Sequence, residues 1–327
     1  MKQYTSLYFV GAGGIGMSAL VRYFLAKGYK VAGYDRTQSP LTTELKAEGL
    51  EIVYEESVES IPDYCRNPET TLVVYTPAIP ASHVGLVYFR EHGFRVVKRA
   101  ELLGLITQSS KGLCFAGTHG KTTTSSMAAH IFHESPIGCN AFLGGILRNY
   151  NSNLILSEQS PFTVIEADEY DRSFHWLHPY MAVVTATDPD HLDIYGTEEA
   201  YLESFARFTS LIQPGGCLIM KKGIKLVPSV KENVKIYTYS ARDGGDFHAG
   251  NIRIGDGTIV FDFVMPEGSV ADIELGVPVE INIENAVAAM AIAWLNGVSG
   301  DDMRRAMASF KGAKRRFEFW VRRSDRV

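Results

Sequence analysis

The sequence predicts an α/β protein made of two successive units, each with a parallel sheet covered by helices. Short apolar, β-rich runs alternate with longer helical patterns, beginning with Leu7–Val10, a helix over about residues 17–27, and Tyr29–Tyr34. This alternation is typical of βαβ units. A glycine-rich turn follows the first predicted strand of each unit, at Gly11–Gly16 and at Gly117–Gly120.

The order of the other predicted elements supports this division. In the first unit they are a helix near Leu41–Glu48, strands at Leu72–Tyr75 and Arg95–Lys98, and a helix with linker at Ala100–Ser110. In the second they are a strand at Gly112–Ala116, a helix from Lys121 to about His133, strands at Phe162–Ile165 and Met181–Thr185, and helices over about Ile283–Asn296 and Asp301–Ser309. Four further pieces predict a peripheral antiparallel section: Cys217–Met220, Lys235–Tyr239, Asn251–Ile254 and Thr258–Val264.

Composition excludes several classes of protein. With 327 residues and 46% hydrophobic content, the chain can bury a large core and fills two domains more naturally than one. A formal net charge of −5, without a long basic run, argues against nucleic-acid binding. We expect no membrane partner, because no signal peptide or long apolar run is present. Four widely spaced cysteines predict neither disulfides nor a zinc site, so we expect a cytoplasmic protein; the oligomeric state is left open.

The first glycine cluster, Gly11–Gly16, lies between a predicted strand and a predicted helix. Helix N-termini bind anions through free N–H groups and the helix dipole, so the cluster predicts a phosphate cradle. Asp35 ends the next strand at about the spacing where dinucleotide folds bind a ribose hydroxyl, although an acid there also serves in turns. Taken alone, the cluster fits an NAD domain, and the residues leave the nucleotide open.

The second cluster, Gly117-Thr-His-Gly-Lys-Thr-Thr123, is typical of a phosphate-binding loop. We expect its backbone to wrap the phosphates, Lys121 to reach the terminal ones, and Thr122 to bind Mg²⁺. The full motif requires glycine at position 115, where this chain has Phe115, so the loop is shorter than usual. The pattern still predicts triphosphate binding.

Acidic side chains follow two of the predicted buried strands. Glu166, Asp168, Glu169 and Asp171 follow the first, and Asp188, Asp190, His191 and Asp193 follow the second. Because the carboxyl ends of parallel strands meet at one edge, we expect Glu166 to bind a nucleotide-associated Mg²⁺ and His191 a second divalent ion. The alternative for any single acid is a solvated loop.

These motifs together resemble those of the Mur ligases, ATP-dependent amide-forming enzymes of cell-wall synthesis. The segments that carry the resemblance are Phe9-Val-Gly-Ala-Gly-Gly-Ile-Gly-Met17, Gly117-Thr-His-Gly-Lys-Thr-Thr123, Glu166-Ala-Asp-Glu-Tyr-Asp171, Asp190-His-Leu-Asp193, Asn282-Ile-Glu-Asn285 and Lys314-Arg-Arg-Phe-Glu318. The opening glycine motif and the Thr-His-Gly of the second loop look like the L-alanine-adding branch of the family.

The resemblance implies a domain plan and a set of site residues. We expect a Rossmann-like UDP-sugar domain at 1–108, a central P-loop ATP-binding domain at 109–313 with peripheral antiparallel strands, and the start of a truncated C-terminal domain at 314–327. The implied UDP-sugar contacts are Gly11, Gly13, Gly14, Ile15, Gly16, Met17, Asp35 and Thr76. The implied ATP contacts are Gly117, Thr118, His119, Gly120, Lys121, Thr122, Thr123, Asn282 and Asn285. The implied metal ligands are Thr122, Glu166 and His191, with Lys121, Glu166 and His191 as the catalytic residues.

The implied reaction uses ATP and Mg²⁺ to join L-alanine to UDP-N-acetylmuramate through an acyl phosphate. A chain without the C-terminal domain is expected to be inactive alone. This chain departs from the family's usual sequence at two places, and each departure weakens one implied contact. Ile281 stands where the family usually has histidine before Asn282, and Thr185-Ala186 replaces a usual Thr-Asn.

Three alternatives stay open at this point. A recycling ligase that attaches a tripeptide to the same UDP-sugar shares nearly all of these motifs. An NAD-dependent oxidoreductase predicts only the first glycine cluster and no Gly-Lys-Thr loop. A nonenzymatic nucleotide-binding module keeps the loops without the reaction.

Overall fold

The computed structural model describes residues 3–242 and 244–314 and divides the chain into two compact units, Met1–Ile106 and Thr107–Val327. The predicted domain boundary after residue 108 lies two residues from this division and stays a prediction. Apart from Lys314, the predicted start of a C-terminal domain lies outside the described residues, as do the last four residues of the Lys314–Glu318 motif.

The first unit is a five-stranded parallel sheet with helices between its strands. Its elements are β1 (Ser6–Val10), α1 (Ile15–Ala26), β2 (Lys30–Tyr34), α2 (Pro40–Ala47), β3 (Glu51–Val53), β4 (Thr71–Tyr75), α3 (Val84–Glu91), β5 (Arg95–Lys98) and α4 (Arg99–Thr107). The strand order is β3-β2-β1-β4-β5, with every pair parallel. The strand β1 is buried along its whole length and is apolar from Leu7 to Val10, as expected for a central strand of a sheet covered on both faces.

The second unit contains a ten-stranded mixed sheet. Its elements are β6 (Lys111–Ala116), α5 (Lys121–His133), β7 (Asn140–Leu147), β8 (Ser152–Ile155), β9 (Phe162–Glu166), β10 (Pro179–Val184), α6 (Leu192–Tyr195), α7 (Glu198–Ser210), β11 (Cys217–Lys221), β12 (Lys235–Ser240), β13 (Phe247–Gly255), β14 (Thr258–Met265), β15 (Gly268–Glu274), α8 (Ile281–Leu295) and α9 (Gly300–Ser309). The strand order is β15-β14-β13-β12-β11-β10-β6-β9-β7-β8.

The structure corrects one part of the predicted peripheral section. The strand β11 pairs parallel with both β10 and β12, and β12 is also parallel to β13. Only β13, β14 and β15 form the antiparallel section, while β8 adds an antiparallel edge at the other end. Direction depends on the connection between strands, and the helix α7, which the pattern did not predict, provides the crossover from β10 to β11.

Two helices of the second unit pack deeply around the phosphate loop. The helix α8 is rich in alanine and is buried from Asn282 to Ala293 except at Glu284, which pairs with Lys221 at 2.8 Å. The helix α5 buries threonine, serine and histidine as well as apolar residues. Such a sequence has modest helix propensity, so tertiary packing supplies most of the stability of α5.

No helix in the described ranges is both long enough and apolar enough to cross a membrane.

Candidate functional site

The glycine turn of the first unit lies at the carboxyl end of β1, between β2 and β4 in the sheet. This is the position where connections diverge to opposite sides, and where open α/β sheets bind ligands. Gly11 has a φ of 88°, and a Cβ there would lie 2.7 Å from Cγ2 of Thr76, so only glycine fits. The structure therefore brings Gly11 and Thr76 together. In the described residues no side-chain hydrogen bond caps the start of α1 after Gly14, and the N-terminus of a helix attracts anions through its dipole.

Asp35 binds the glycine turn itself. The N–H of Gly13 donates to Oδ2 of Asp35 at 2.7 Å, and the N–H of Thr37 donates to Oδ1 at 3.2 Å. A Cβ on Gly13 would lie 2.5 Å from Cγ2 of Thr42, so the turn is tightly enclosed. This geometry indicates a structural role for Asp35, and its contact with the sugar nucleotide stays a prediction.

Side chains next to the turn have different environments. Ile15 is 44% exposed, whereas Met17 is 2% exposed and its N–H donates to the carbonyl of Gly14 at 3.0 Å, so a ligand contact of Met17 stays a prediction. Sequence reasoning missed Arg99, whose Nη1 lies 2.8 Å from the position a Cβ would take on Gly16. An arginine at the first position of a distant helix gives no motif signal, because only the tertiary fold brings it to the turn.

The second glycine turn joins β6 to α5 and is supported by contacts with Thr185. Gly117 and Gly120 have φ values of 137° and 87°, which favour glycine. A Cβ on Gly117 would lie 2.2 Å from Oγ1 of Thr185 and 2.7 Å from the backbone nitrogen of Ala186. The hydroxyl of Thr185 donates to the carbonyls of Ala116 and His119. Thr185 thus supports the loop at the position where the usual Thr-Asn pair is altered.

The other residues of this loop point in different directions. The hydroxyl of Thr118 lies 2.7 Å from the carbonyl oxygen of Asp188 and 2.9 Å from the hydroxyl of Tyr201, so it anchors the loop to its surroundings. His119 is exposed, and Thr123 is half-buried in the first turn of α5. No side-chain cap precedes α5 in the described part of the chain, so its first N–H groups are available to phosphate.

Lys121 is the cation of the site and is mostly buried, with 14% of its side chain exposed. Its Nζ donates to the carbonyl of Gly117 at 2.6 Å and to Oε1 of Glu169 at 2.7 Å. Sequence reasoning placed Glu169 within an acidic run but gave it no role. The lysine is therefore already folded over the loop, next to the uncapped start of α5.

Thr122 and Glu166 form the pair that fits a hard cation. The hydroxyl of Thr122 donates to Oε1 of Glu166 at 2.9 Å, and the N–H of Gly144 donates to Oε2 at 3.1 Å. Burial raises the pKa of the Glu166 carboxyl, against the hydrogen bond from Thr122 and the charge of Lys121. A Cβ on Gly144 would lie 2.2 Å from Oε2, so glycine leaves room for this carboxylate. Hydroxyl and carboxylate oxygens are the donors that Mg²⁺ prefers.

His191 lies at the start of α6 in a left-handed conformation, with a φ of 53°. Its Nε2 is 3.8 Å from Oδ2 of Asp190, and its ring meets that of Tyr170 edge to face at 5.2 Å. Asp171 and Arg172 are also left-handed, at φ values of 51° and 54°. Such conformations are costly for residues other than glycine and often cluster at functional sites. The N–H of His191 donates to Oδ1 of Asp190 at 2.8 Å, and a role of Asp190 or Asp193 in orienting the imidazole of His191 is a prediction.

Within residues 3–242 and 244–314, no group of three or more His, Cys, Asp and Glu side chains is arranged to hold a metal. The predicted set of Thr122, Glu166 and His191 has only two such residues. Because a group with two such residues is smaller than three, the absence of larger groups does not bear on this set, which stays a prediction.

Asn282 and Asn285 tie α8 to the phosphate-loop helix. Nδ2 of Asn282 donates to the carbonyl of Val277 at 3.1 Å, and Nδ2 of Asn285 donates to Oδ1 of Asn282 at 3.2 Å. Oδ1 of Asn285 accepts from the hydroxyl of Thr124 at 3.1 Å. Asn282 is 1% exposed and the preceding Ile281 is 52% exposed, so adenine contacts by both asparagines stay a prediction.

Comparisons with known proteins agree with this arrangement. The family model of the Mur ligase middle domain matches residues 115–293, and that of the Mur ligase family catalytic domain matches residues 6–111. A UDP-N-acetylmuramate–L-alanine ligase from Parabacteroides distasonis is 65% identical over 327 residues, which is 100% of this chain and 71% of the relative. One from Phocaeicola vulgatus is 63% identical over 322 residues, covering 98% of this chain and 70% of the relative.

Solved structures show the same fold. A UDP-N-acetylmuramate-alanine ligase from Thermotoga maritima aligns with a TM-score of 0.82 at 24% identity, covering 98% of this chain and 72% of that structure. A ligase from Neisseria meningitides that joins UDP-N-acetylmuramate to a tripeptide aligns with a TM-score of 0.82 at 23% identity, covering 95% of this chain and all of that structure. The family matches overturn the NAD-dependent oxidoreductase alternative, because both glycine turns lie in Mur ligase domains. The chain belongs to the Mur ligase family.

Proposed function

We propose that this protein uses ATP to join L-alanine to UDP-N-acetylmuramate, as a step of peptidoglycan precursor synthesis. The observation that carries the proposal is the grouping at the uncapped start of α5. There Lys121 is folded over the loop, and Thr122 contacts the buried carboxylate of Glu166. This grouping suits a triphosphate with its magnesium, since it offers backbone N–H groups, one cation and two oxygen ligands.

The reaction needs a triphosphate because a carboxylate is a poor electrophile. In the proposed sequence the muramate carboxylate attacks the γ-phosphorus and displaces ADP, which gives an acyl phosphate. The amine of alanine then attacks the acyl carbon and displaces inorganic phosphate. The protein contributes mainly position and charge neutralisation, which phosphoryl transfer requires more than a covalent nucleophile.

Individual residues have defined tasks in this proposal. The ammonium of Lys121 holds the β- and γ-phosphates, and the N–H groups of the loop hold the phosphate oxygens. Thr122 and Glu166 would hold Mg²⁺, and His191, oriented by Asp190, would hold a second divalent ion. Bound magnesium would neutralise charge that develops on the transferred phosphoryl group. In the first unit, the glycine turn would bind the diphosphate of the sugar nucleotide.

The choice of acceptor rests on the close relatives. The relatives at 65% and 63% identity are both named as L-alanine ligases. The tripeptide-joining structure is 23% identical and supports the fold alone. L-Alanine is therefore the proposed acceptor, and the tripeptide is the alternative that an acceptor assay must exclude.

We also propose that the protein works in the cytoplasm. All four cysteines are buried and free of disulfides, which fits a reducing compartment. ATP and sugar nucleotides are substrates of such a compartment.

The test compares acceptors in a chimera. The 327-residue chain is fused to the remaining C-terminal part of the Parabacteroides distasonis relative, and phosphate release from ATP is measured. We expect release only when UDP-N-acetylmuramate and L-alanine are both present, and little with the tripeptide L-alanyl-γ-D-glutamyl-meso-diaminopimelate. Without the added part we expect little turnover, because closure completes such sites.

Two outcomes would contradict the proposal. Preference for the tripeptide would reassign the acceptor. A chimera that binds both nucleotides but never releases phosphate would leave a nonenzymatic nucleotide-binding module. The relative itself, assayed in parallel, serves as the active control.

A further inference from the structure

The carboxylate of Glu169 is the direct partner of the phosphate-loop lysine. Oε1 of Glu169 lies 2.7 Å from Nζ of Lys121, and the same ammonium donates to the carbonyl of Gly117 at 2.6 Å. The side chains of Glu169 and Lys121 are 2% and 14% exposed. Two of the three N–H donors of the ammonium are thus used inside the protein, at the base of the loop.

This buried pair is incompletely satisfied. Oε2 of Glu169 is buried and, among the described residues, makes no hydrogen bond. Burying a charge is costly unless its oxygens are bonded, and an ion pair offsets this cost only when its geometry is complete. In agreement, burial raises the pKa of the Glu169 carboxyl in spite of the opposing charge of Lys121. The protein therefore keeps Lys121 paired at some cost in stability.

The backbone of Glu169 is fixed relative to the loop. Its carbonyl accepts from the hydroxyl of Tyr195 at 2.5 Å and from the N–H of Arg172 at 2.9 Å. The guanidinium of Arg172 lies 4.8 Å from the centre of the Tyr195 ring, which adds a cation–π contact. Because its backbone is fixed, the carboxylate of Glu169 is held in a defined position beside the lysine, unlike that of a mobile surface acid.

We propose that Glu169 is a positioning residue that stands in for a phosphate, holding Lys121 over the loop until a nucleotide displaces it as the main partner. The inference rests on the proposed ATP binding and deepens it. A carboxylate oxygen and a phosphate oxygen compete for the same ammonium, so Glu169 weakens nucleotide binding while it keeps the lysine in place. The competition concerns only the phosphates that the lysine reaches.

The test compares ATP, ADP and AMP by titration calorimetry on the 327-residue chain and on Glu169→Gln. Glutamine keeps the size of the side chain and an acceptor oxygen but removes the competing charge. We expect the Kd for ATP and for ADP to fall about tenfold, which corresponds to ~1.4 kcal/mol, with that for AMP unchanged. We also expect a lower melting temperature without nucleotide and a larger increase with ATP, because the lysine loses its partner only in the free protein.

Controls separate this role from a structural one. Glu203→Gln changes an exposed glutamate on α7 and should leave all three Kd values unchanged. Glu169→Asp keeps the charge but moves it away from Lys121, because the side chain is shorter. We expect ATP affinity to increase, but by less than in Glu169→Gln. This variant tests the inference if the glutamine variant does not fold.

Unchanged or weaker ATP binding in a folded variant, or an equal change for AMP, would overturn the inference alone. A parent chain that binds no ATP would overturn the proposed function as well.

Discussion

The two glycine turns share a backbone design but differ in the charge that completes them. Both follow a strand that pairs parallel with its two neighbours, and α1 and α5 both begin without a side-chain cap in the described residues. In the first unit a carboxylate, Asp35, takes the N–H of Gly13. In the second a hydroxyl, that of Thr185, holds the loop carbonyls, and the cation Lys121 is added.

In the proposed function, this difference lets one local structure serve two kinds of ligand. A turn of N–H groups is enough to bind a diphosphate that does not react. A phosphate that is transferred develops charge and needs a cation and metal ligands as well. The second turn has side chains suited to these roles, because Lys121 and Thr122 follow it directly and Glu166 ends the neighbouring strand β9.

The helices that follow the two turns also differ on their buried faces. The buried face of α1 is mainly apolar, with Leu20, Val21 and Phe24. The buried face of α5 includes His130, whose Nδ1 lies 2.6 Å from the hydroxyl of Tyr150 and whose Nε2 lies 2.9 Å from that of Ser309. The second unit therefore buries a titratable imidazole near the C-terminal end of α5.

Removing the cation should have the largest effect. Lys121→Ala is expected to weaken ATP binding at least about a hundredfold, because the terminal phosphates lose a charged donor. UDP-N-acetylmuramate binding should not change. Titration calorimetry with both ligands measures this, and Lys231→Ala, at an exposed position, is the matched control.

The same substitution leaves Glu169 buried without its partner, so stability must be separated from binding. The double variant Lys121→Ala/Glu169→Gln is expected to recover stability but not ATP affinity. If the double variant bound ATP like the parent chain, Lys121 would have no role in holding phosphate.

The buried histidine predicts acid sensitivity of the second unit. Burial lowers the pKa of His130 to about 4, against the nearby Glu134 and with a small contribution from His133. In the unfolded chain the imidazole of His130 takes up a proton near pH 6.5. The part of the free energy of unfolding that depends on neutral His130 is therefore fully present above that pH and is lost as the pH falls toward 4. The loss should reach about 3 kcal/mol.

Urea unfolding between pH 4 and pH 7 measures this loss. His130→Gln should flatten the profile relative to the parent chain, because glutamine does not titrate. The exposed neighbour His133→Gln is the control on the same helix and should change the slope much less than His130→Gln does. Equal slopes for the parent and His130→Gln would contradict a buried neutral histidine.

The smallest effect concerns the carboxylate of the first turn. Asp35→Ala should destabilise the chain by about 1–2 kcal/mol, because the N–H of Gly13 loses its acceptor. Asp35→Asn keeps an acceptor oxygen and should unfold in urea like the parent. Stability that is normal in Asp35→Asn, combined with a loss of UDP-N-acetylmuramate affinity, would instead show a direct ligand contact for Asp35.

The sequence by itself determined the two turns, most strands near them and which polar side chains follow those strands. Gly117–Thr123 is local, and the range predicted for α5 agrees with the observed Lys121–His133, because glycine conformation and helix start are set by neighbouring residues. Glu166 was predictable because it ends a buried apolar strand, which must lie beside another strand of the sheet.

Only the tertiary structure decided the partners of these residues. The hydrogen bonds of Asp35 to Gly13 and of Lys121 to Glu169 join residues 22 and 48 positions apart. The parallel pairing of β11 with β10 likewise depended on a crossover helix, α7, that the pattern did not reveal. Periodicity reports which face of an element is buried, but contact between distant side chains depends on how the elements pack, and this information is not local.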